Sequence, residues 1–163
     1  MLIRPADVRD ADAIWRVLEP VIRGGETYAL PRNWSRSQAL AYWQAADREV
    51  FVAEDAGRIV GTYYVRANQQ GGGAHVANGA FATDAEARGR GVGRAMGLDS
   101  LQRAAASGFT AMQFNFVIST NASAIALWKS LRFEVVGRLP AAFRHPQAGL
   151  VDVFVMFRMI DPG

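Results

Sequence analysis

Apolar and polar positions along the chain change period several times, and each change marks an element. Leu2, Ile3 and Arg4 open a short strand that Pro5 and the Asp-rich stretch after it break. Ile14, Val17, Leu18, Val21 and Ile22 then recur at helical spacing, one apolar stripe that Gly24-Gly25 ends. Ser35 is placed to cap a second helix carrying Ala39, Leu40 and Trp43. Residues 50–54 and 58–66 read as strands joined by Asp55-Ala56-Gly57 as a tight hairpin, and residues 69–73 as a polar, glycine-rich loop. A strand over 75–83 follows, weakened by Asn78-Gly79. A helix over 91–107 places Gly97, Leu98, Leu101, Ala104 and Ala105 on one face, small enough to lie close against a sheet. Residues 112–117 alternate, with Met112, Phe114 and Phe116 on one side and Gln113 and Asn115 on the other. Ala124, Leu127, Trp128 and Leu131 make another helical stripe. Residues 133–138 and 150–159 close the chain as strands, with Val151, Val153, Val155 and Phe157 alternating. The order β-α-α-β-β-β-α-β-α-β-β predicts an α/β (α+β) fold, a mixed sheet with helices on its faces. No linker, composition shift or repeat divides it, so residues 1–163 read as a single domain.

Composition narrows the chemistry. The chain has no cysteine, which excludes disulfides, zinc-thiolate sites, iron–sulfur clusters and a cysteine nucleophile. Eighteen basic residues stand against 15 acidic ones, a net charge of +3. That admits an anionic ligand, but without a long basic run it predicts no nucleic-acid partner. Charges interrupt the N-terminal residues too early for a signal peptide. The uncharged run 104–128 holds Asn115, Asn121, Gln113 and several hydroxyls, too many polar groups for a bilayer core. The expectation is a cytoplasmic protein without a membrane partner.

The informative segment is Arg88-Gly89-Arg90-Gly91-Val92-Gly93-Arg94, placed where a strand ends and a helix begins. Alternating glycines let the backbone turn tightly and let a ligand approach the amides. The helix behind them directs its unpaired N–H groups and positive dipole end at the loop. Arginines add charge, and the whole points to a phosphate or pyrophosphate. A P-loop needs Lys-Ser/Thr after the last glycine, and Arg94-Ala95 stands there instead. A dinucleotide loop fails as well, because its third glycine position falls on Arg94 or Met96.

What fits is Arg-x-x-Gly-x-Gly, which resembles the coenzyme A pyrophosphate loop of the GNAT superfamily of N-acetyltransferases. The stretch Asn121-Ala122-Ser123-Ala124-Ile125-Ala126-Leu127-Trp128-Lys129-Ser130-Leu131-Arg132-Phe133 is similar to the family's Asn-x-x-Ala-x-x-Leu-Tyr-x-x-x-Gly-Phe, matching at Asn121, Ala124, Leu127 and Phe133. Glu26-Thr27-Tyr28 resembles the substrate loop of the phosphinothricin-acetyltransferase-like branch. The resemblance implies a mostly antiparallel seven-stranded sheet splayed between strands 4 and 5. It implies acetyl-CoA as co-substrate, no metal, a primary amine of a small molecule as acceptor (an amino acid or analogue), and a homodimer. Carried over residue by residue, Phe81, Ala82 and Thr83 would meet pantetheine, and Arg88, Gly89, Arg90, Gly91, Val92, Gly93 and Arg94 would hold the pyrophosphate. Asn121 would fix the pantetheine arm or simply cap a helix, or both.

Two departures stand out. Trp128 replaces the family's tyrosine, often the acid that protonates the departing thiolate, and an indole N–H is no practical proton source. Arg132 replaces the usual glycine. No acid lies on the strand before the loop, where relatives often have one. Glu26 is the first candidate, as a base through water, as the anchor of a cationic substrate, or as a solvated loop carboxylate. His75 is a second catalytic candidate, with structural duty the competing role for it and for His145. Tyr28 joins Glu26 as a substrate residue. Tyr28, Trp34, Tyr63 and Phe143 are candidate walls of an acceptor pocket, although aromatics are more often simply core. A non-catalytic acyl-CoA sensor and a protein N-acetyltransferase are the alternatives.

Overall fold

The hydrophobic stripes and the turn residues account for most of the architecture in the computed structural model, which describes residues 1–161. The elements run β1 (Leu2–Pro5), α1 (Ala11–Gly24), α2 (Arg36–Trp43), β2 (Glu49–Asp55), β3 (Arg58–Ala67), β4 (Val76–Thr83), α3 (Val92–Ala106), β5 (Ala111–Ile118), α4 (Ala122–Ser130), β6 (Glu134–His145) and β7 (Gly149–Met159). Ser35 caps α2 and exchanges side-chain and backbone hydrogen bonds with Gln38 in a capping box. Ala56 (φ 49°) and Gly57 (φ 77°) both turn left-handed between β2 and β3, the backbone of a tight hairpin.

The seven strands form one sheet in the order β1-β2-β3-β4-β5-β7-β6. Every neighbouring pair is antiparallel except β4 and β5, which are parallel. Helices cover both faces. Ile14, Val17, Leu18 and Ile22 of α1, with Ala39, Leu40 and Trp43 of α2, pack on Val52, Ile59, Tyr64 and Ala82. On the other face Val92, Met96, Leu101 and Ala104 of α3, with Trp128 of α4, pack on Phe51, Tyr63, Phe114 and Met156. Gly97 brings α3 against α4 so closely that a Cβ there would lie 2.6 Å from Leu131 Cδ1.

Three expectations need correction. Leu98 is not on the buried stripe of α3 but 44% exposed, because that stripe runs through Val92, Met96, Gly97, Ser100, Leu101 and Ala104. Phe116 is 37% exposed. The register of β5 on β7 shifts between Phe114 and Val117, and this bulge turns Val117 inward in its place. Lastly, β6 continues past Arg138 to His145, as a largely exposed edge strand whose sequence lacks alternation. No helix among the described residues is long and apolar enough to cross a membrane.

Candidate active site

The site begins where the sheet opens. Asp84 N–H donates to the Val60 carbonyl and Asn68 N–H to that of Val76, so the even-numbered residues of β4 face β3. By alternation the backbone groups of Phe81 and Thr83 face β5, while Ala82 between them turns back to β3. Yet β5 meets β4 at only two residue pairs, Val76 with Ala111 and Ala77 with Met112. Beyond them the strands diverge, and the amides and carbonyls of Phe81 and Thr83 look into a wedge. The Tyr28 hydroxyl, from the loop after α1, donates to the Phe81 carbonyl. Burial pushes the Tyr28 phenol far above its ordinary range, so it stays a donor.

Polar side chains gather at the apex of the wedge. Asn78 Nδ2 donates to the Gln113 carbonyl (2.9 Å), replacing the backbone ladder where it stops. Gln113 Nε2 donates to Asn115 Oδ1 (2.8 Å), and Asn115 Nδ2 to Asn68 Oδ1 (2.6 Å). All three strand residues lie on the face that α1 and α2 cover. The sequence carried one signal for them: polar alternation in a strand that helices cover on both faces does not face solvent. On the opposite face Trp128 spans the opening, its ring centroid 4.8 Å from that of Phe81 on β4 and 4.6 Å from that of Phe114 on β5.

The glycine-rich loop leads from the end of β4 into α3. Gly89 (φ 74°) and Gly91 (φ 80°) are left-handed, and a Cβ on either would meet nothing within 4 Å. They leave bare backbone in front of α3, whose first N–H groups at Val92, Gly93 and Arg94 have no partner within the helix. Gly93 is tighter: a Cβ there would stand 3.2 Å from Leu127 Cδ2. The arginines differ in their engagements. Arg88 is exposed, Arg90 Nη2 bonds Asp55 Oδ2 (2.5 Å), and Arg94 Nη1 bonds Ser130 Oγ (3.0 Å). Asn121 caps α4, its Oδ1 accepting from Ala124 N–H (3.3 Å) and Ser123 Oγ (3.2 Å). Both oxygen bonds leave its Nδ2 donors to the outside. Unblocked amides, a positive helix end and neighbouring arginines are what a pyrophosphate site would need, and the shelf has all three. Phe81 and Thr83 border the wedge on its β4 side, and Asn121 stands at the start of α4.

Glu26 lies in the loop after α1, half-exposed, with Oε1 4.0 Å from His145 Nε2. His145 Nδ1 accepts from the backbone N–H of Gln147 (3.1 Å) and Ala148 (3.0 Å). That fixes its proton on Nε2, toward Glu26. Tyr28, Phe143 and His145 line an open cleft of about 330 Å³ beside them. His75 is exposed in the turn before β4, and its carbonyl accepts from Thr110 N–H at the closed end of the β4/β5 pair. β5 runs from that closed end to the level of the β6–β7 tip, so at ~3.3 Å per residue His75 and His145 stand at opposite ends of a strand longer than 20 Å. The structure therefore brings Glu26, Tyr28 and His145 together and leaves His75 apart. Of the other aromatic candidates, Tyr63 is core, donating to Asp99 Oδ2 (2.5 Å) beneath α3, and Trp34 packs on Tyr42.

Comparison with known proteins agrees with this geometry. The sequence pattern of the acetyltransferase (GNAT) family matches residues 15–133. A GCN5-related N-acetyltransferase from Kribbella flavida is 41% identical and superposes with a TM-score of 0.92 over 97% of this chain and 96% of its own. A phosphinothricin acetyltransferase from Sinorhizobium meliloti, solved with acetyl-CoA, is 23% identical with a TM-score of 0.86, over 99% of this chain and 89% of its own, and shares the fold. The N-acetyltransferase aca1 of Schizosaccharomyces pombe is 33% identical over 98 residues, 60% of this chain and just under half (47%) of that protein. The chain belongs to the acetyltransferase (GNAT) family.

Proposed function

We propose that the chain is an acetyl-CoA-dependent N-acetyltransferase of the phosphinothricin-acetyltransferase-like branch, whose acceptor is the primary amine of a small molecule, an amino acid or analogue. One observation carries this reading: the wedge between β4 and β5 leaves the Phe81 N–H and the Thr83 backbone groups without a strand partner, close to the glycine-rich loop and the free Val92, Gly93 and Arg94 amides that begin α3. Acetyl-CoA supplies an activated thioester when bound. The Phe81 and Thr83 backbone and the α3 amides orient it, and an amide of β4 hydrogen-bonds the oxygen on which charge develops. An acceptor amine enters from the α1/α2 face, past Glu26 and Tyr28. Glu26 attracts the ammonium and passes its proton to water. Trp128 closes the opposite face against water and leaves the departing thiolate to hydrogen bonds alone.

The test is release of free thiol from acetyl-CoA over a panel of amines. Turnover with one or more small amines supports the reading. Tight acetyl-CoA binding with no thiol release for any of them assigns the chain instead to acyl-CoA sensing, the second reading that the indole at Trp128 favours. For Glu26→Gln we expect unchanged acetyl-CoA affinity and kcat/KM for the amine lowered about tenfold, ~1.4 kcal/mol of transition-state stabilisation. The defect shrinks as pH rises and the amine loses its proton unaided. Wild-type turnover by this variant at every pH would leave Glu26 a solvated loop residue.

A further inference from the structure

The α1/α2 face holds a second group of polar side chains that the acetyl-transfer geometry does not use. Arg66 on β3 pairs in register with Asn78 on β4, and its Nε lies 3.4 Å from Asn78 Oδ1. The pairing of Glu49 with Val65, extended by one residue, sets Arg48 opposite Arg66. Arg48, Arg66 and Asn78 thus form one row across the sheet, and the row ends at the apex of the wedge.

Arg48 is unusual. Its side chain is only 7% exposed, and its Nε and Nη1 are buried without a hydrogen-bond partner. The guanidinium is held by its faces, with its carbon 4.1 Å from the Tyr42 ring centroid and 4.4 Å from that of Tyr64. Stacking satisfies the faces of a guanidinium and leaves the N–H groups along its edge free. The nearest carboxylate is Asp47, 59% exposed, 3.5 Å from Arg48 Nε and also 3.4 Å from Arg66 Nη1. Two cations therefore share one solvated acid. Glu49, next in sequence, turns to the opposite face beside Phe51 and Arg103. A buried N–H without a partner is costly, and an incoming acceptor relieves that cost.

We propose that Arg48 and Arg66 read a carboxylate on the acceptor, which makes the substrate a short amino acid with its amine at the wedge and its acid over β3. The proposal rests on the acetyl-transfer reading for the role of the amine, but the anion subsite stands on the geometry of Arg48 alone. Neighbouring strands lie ~4.8 Å apart, so the amine and the acid of a short amino acid span the step from Asn78 to Arg66. A diamine would leave both guanidiniums unmatched.

The test uses the proteinogenic L-amino acids, each against its own carboxamide. Binding is measured by calorimetry on the CoA-loaded protein, and turnover by thiol release. The wild type is expected to favour at least one amino acid over its carboxamide by roughly 30-fold in both readouts. Arg48→Gln and Arg66→Gln reduce that ratio to about threefold or less, while Arg48→Lys, which keeps the charge but not the plane, restores part of it. A wild type that treats acid and amide alike overturns the proposal, as does a ratio above about tenfold in both Gln variants. Selective binding of amino acids without thiol release would overturn the acetyl-transfer reading and leave the carboxylate subsite standing.

Discussion

Placing a carboxylate on the glycine-rich shelf tests the donor site most directly, and Gly91→Glu is the variant whose effects separate best. Gly91 sits at φ 80° at the N-terminus of α3, with open space around the position of its Cβ. A non-glycine residue there costs ~1 kcal/mol of left-handed strain. A carboxylate at the start of a helix returns ~0.3–1 kcal/mol through the dipole. The two nearly cancel, so the melting temperature should stay within about 4 °C of the wild type. Coenzyme A meets the opposite balance. A negative charge ~4 Å from a phosphate, at the effective dielectric of a protein surface, costs up to ~4 kcal/mol, and the exposure of the loop reduces this to about 2–4. The dissociation constant for CoA should rise by about 30- to 1,000-fold. Gly91→Ala carries the strain without the charge, and its affinity should stay within about fivefold. Calorimetry at 0.1 M salt gives the constants, and melts with CoA give an independent check. At 100 times its dissociation constant, CoA stabilises the wild type by ~2.7 kcal/mol. That gain should fall to about 0.9 kcal/mol or less in Gly91→Glu at the same concentration. A dissociation constant within about threefold of the wild type, in a cooperatively melting Gly91→Glu protein, would refute the placement of the pyrophosphate. Gly93→Asp is the weaker test, because a Cβ there already presses on Leu127.

Arg88→Ala should weaken CoA binding by about 1–3 kcal/mol at fixed salt, and Arg90→Ala by less, because Arg90 must first leave Asp55; equal constants for wild type and Arg88→Ala in calorimetry would contradict this. Arg132 stands at φ 66° at the end of α4, so Arg132→Gly should raise the melting temperature by about 1–4 °C, strain relief exceeding the added chain entropy, whereas a lower melting temperature would show that the side chain holds the helix end. The hydrogen bonds from Arg4, against the opposing effect of burial, hold the Asp10 carboxyl below its ordinary range. A depressed carboxyl stabilises the fold above its unfolded value of about 3.9 and loses that contribution as pH falls through the folded one. Denaturant titrations of Asp10→Asn should therefore show a flatter acid limb below about pH 4 than the wild type, and superimposable limbs would dismiss the ion pair as a source of stability.

Features that repeat at a fixed period or obey a local rule were readable from the sequence. The stripe Ile14-Val17-Leu18-Ile22, the cap at Ser35 and the hairpin at Ala56-Gly57 depend on neighbours a few residues away. So does the glycine shelf, whose backbone freedom is a property of the residues themselves. Contacts set by distant pairings were not readable. The bulge after Phe114 exposes Phe116 because β7 continues across it, and nothing near Phe116 announces that. Alternation failed to delimit β6 because the strand is an edge, exposed along most of its length. Asn78 looked like a strand breaker, and only the divergence of β5 makes its side chain the bridge at the apex. Arg48, Tyr42 and Tyr64 come from three different elements. The departure at Arg132 proved benign for the geometry of the helix end: its N–H donates to the Lys129 carbonyl (2.9 Å), and Phe133 N–H donates to that of Trp128 (3.0 Å). This is the Schellman pairing that glycine usually serves, and Phe133 packs on Trp128 as that motif favours.

The proton balance of the reaction turns on the amine rather than on the thiol. An alkylammonium near pKa 10 is almost wholly protonated at neutral pH, whereas a thiol near 8.5 leaves readily as a thiolate. Losing the tyrosine at Trp128 therefore removes the less critical of two proton transfers. The critical one lacks a strong base. His145 Nδ1 is taken by two backbone N–H groups and Nε2 carries the proton, so the ring accepts nothing without breaking its own turn. Glu26 is half-exposed, a carboxylate open to solvent. What remains is the field. Arg48 and Arg66 share a single solvated acid, and a positive excess near an ammonium lowers its pKa, most strongly where the cation is buried. The arginines that would hold the acceptor's carboxylate would then also loosen the proton from its amine. Once the carboxylate binds, it cancels part of that field. The unprotonated amine is accordingly favoured most while the acid is still settling onto Arg48, and its proton leaves through water.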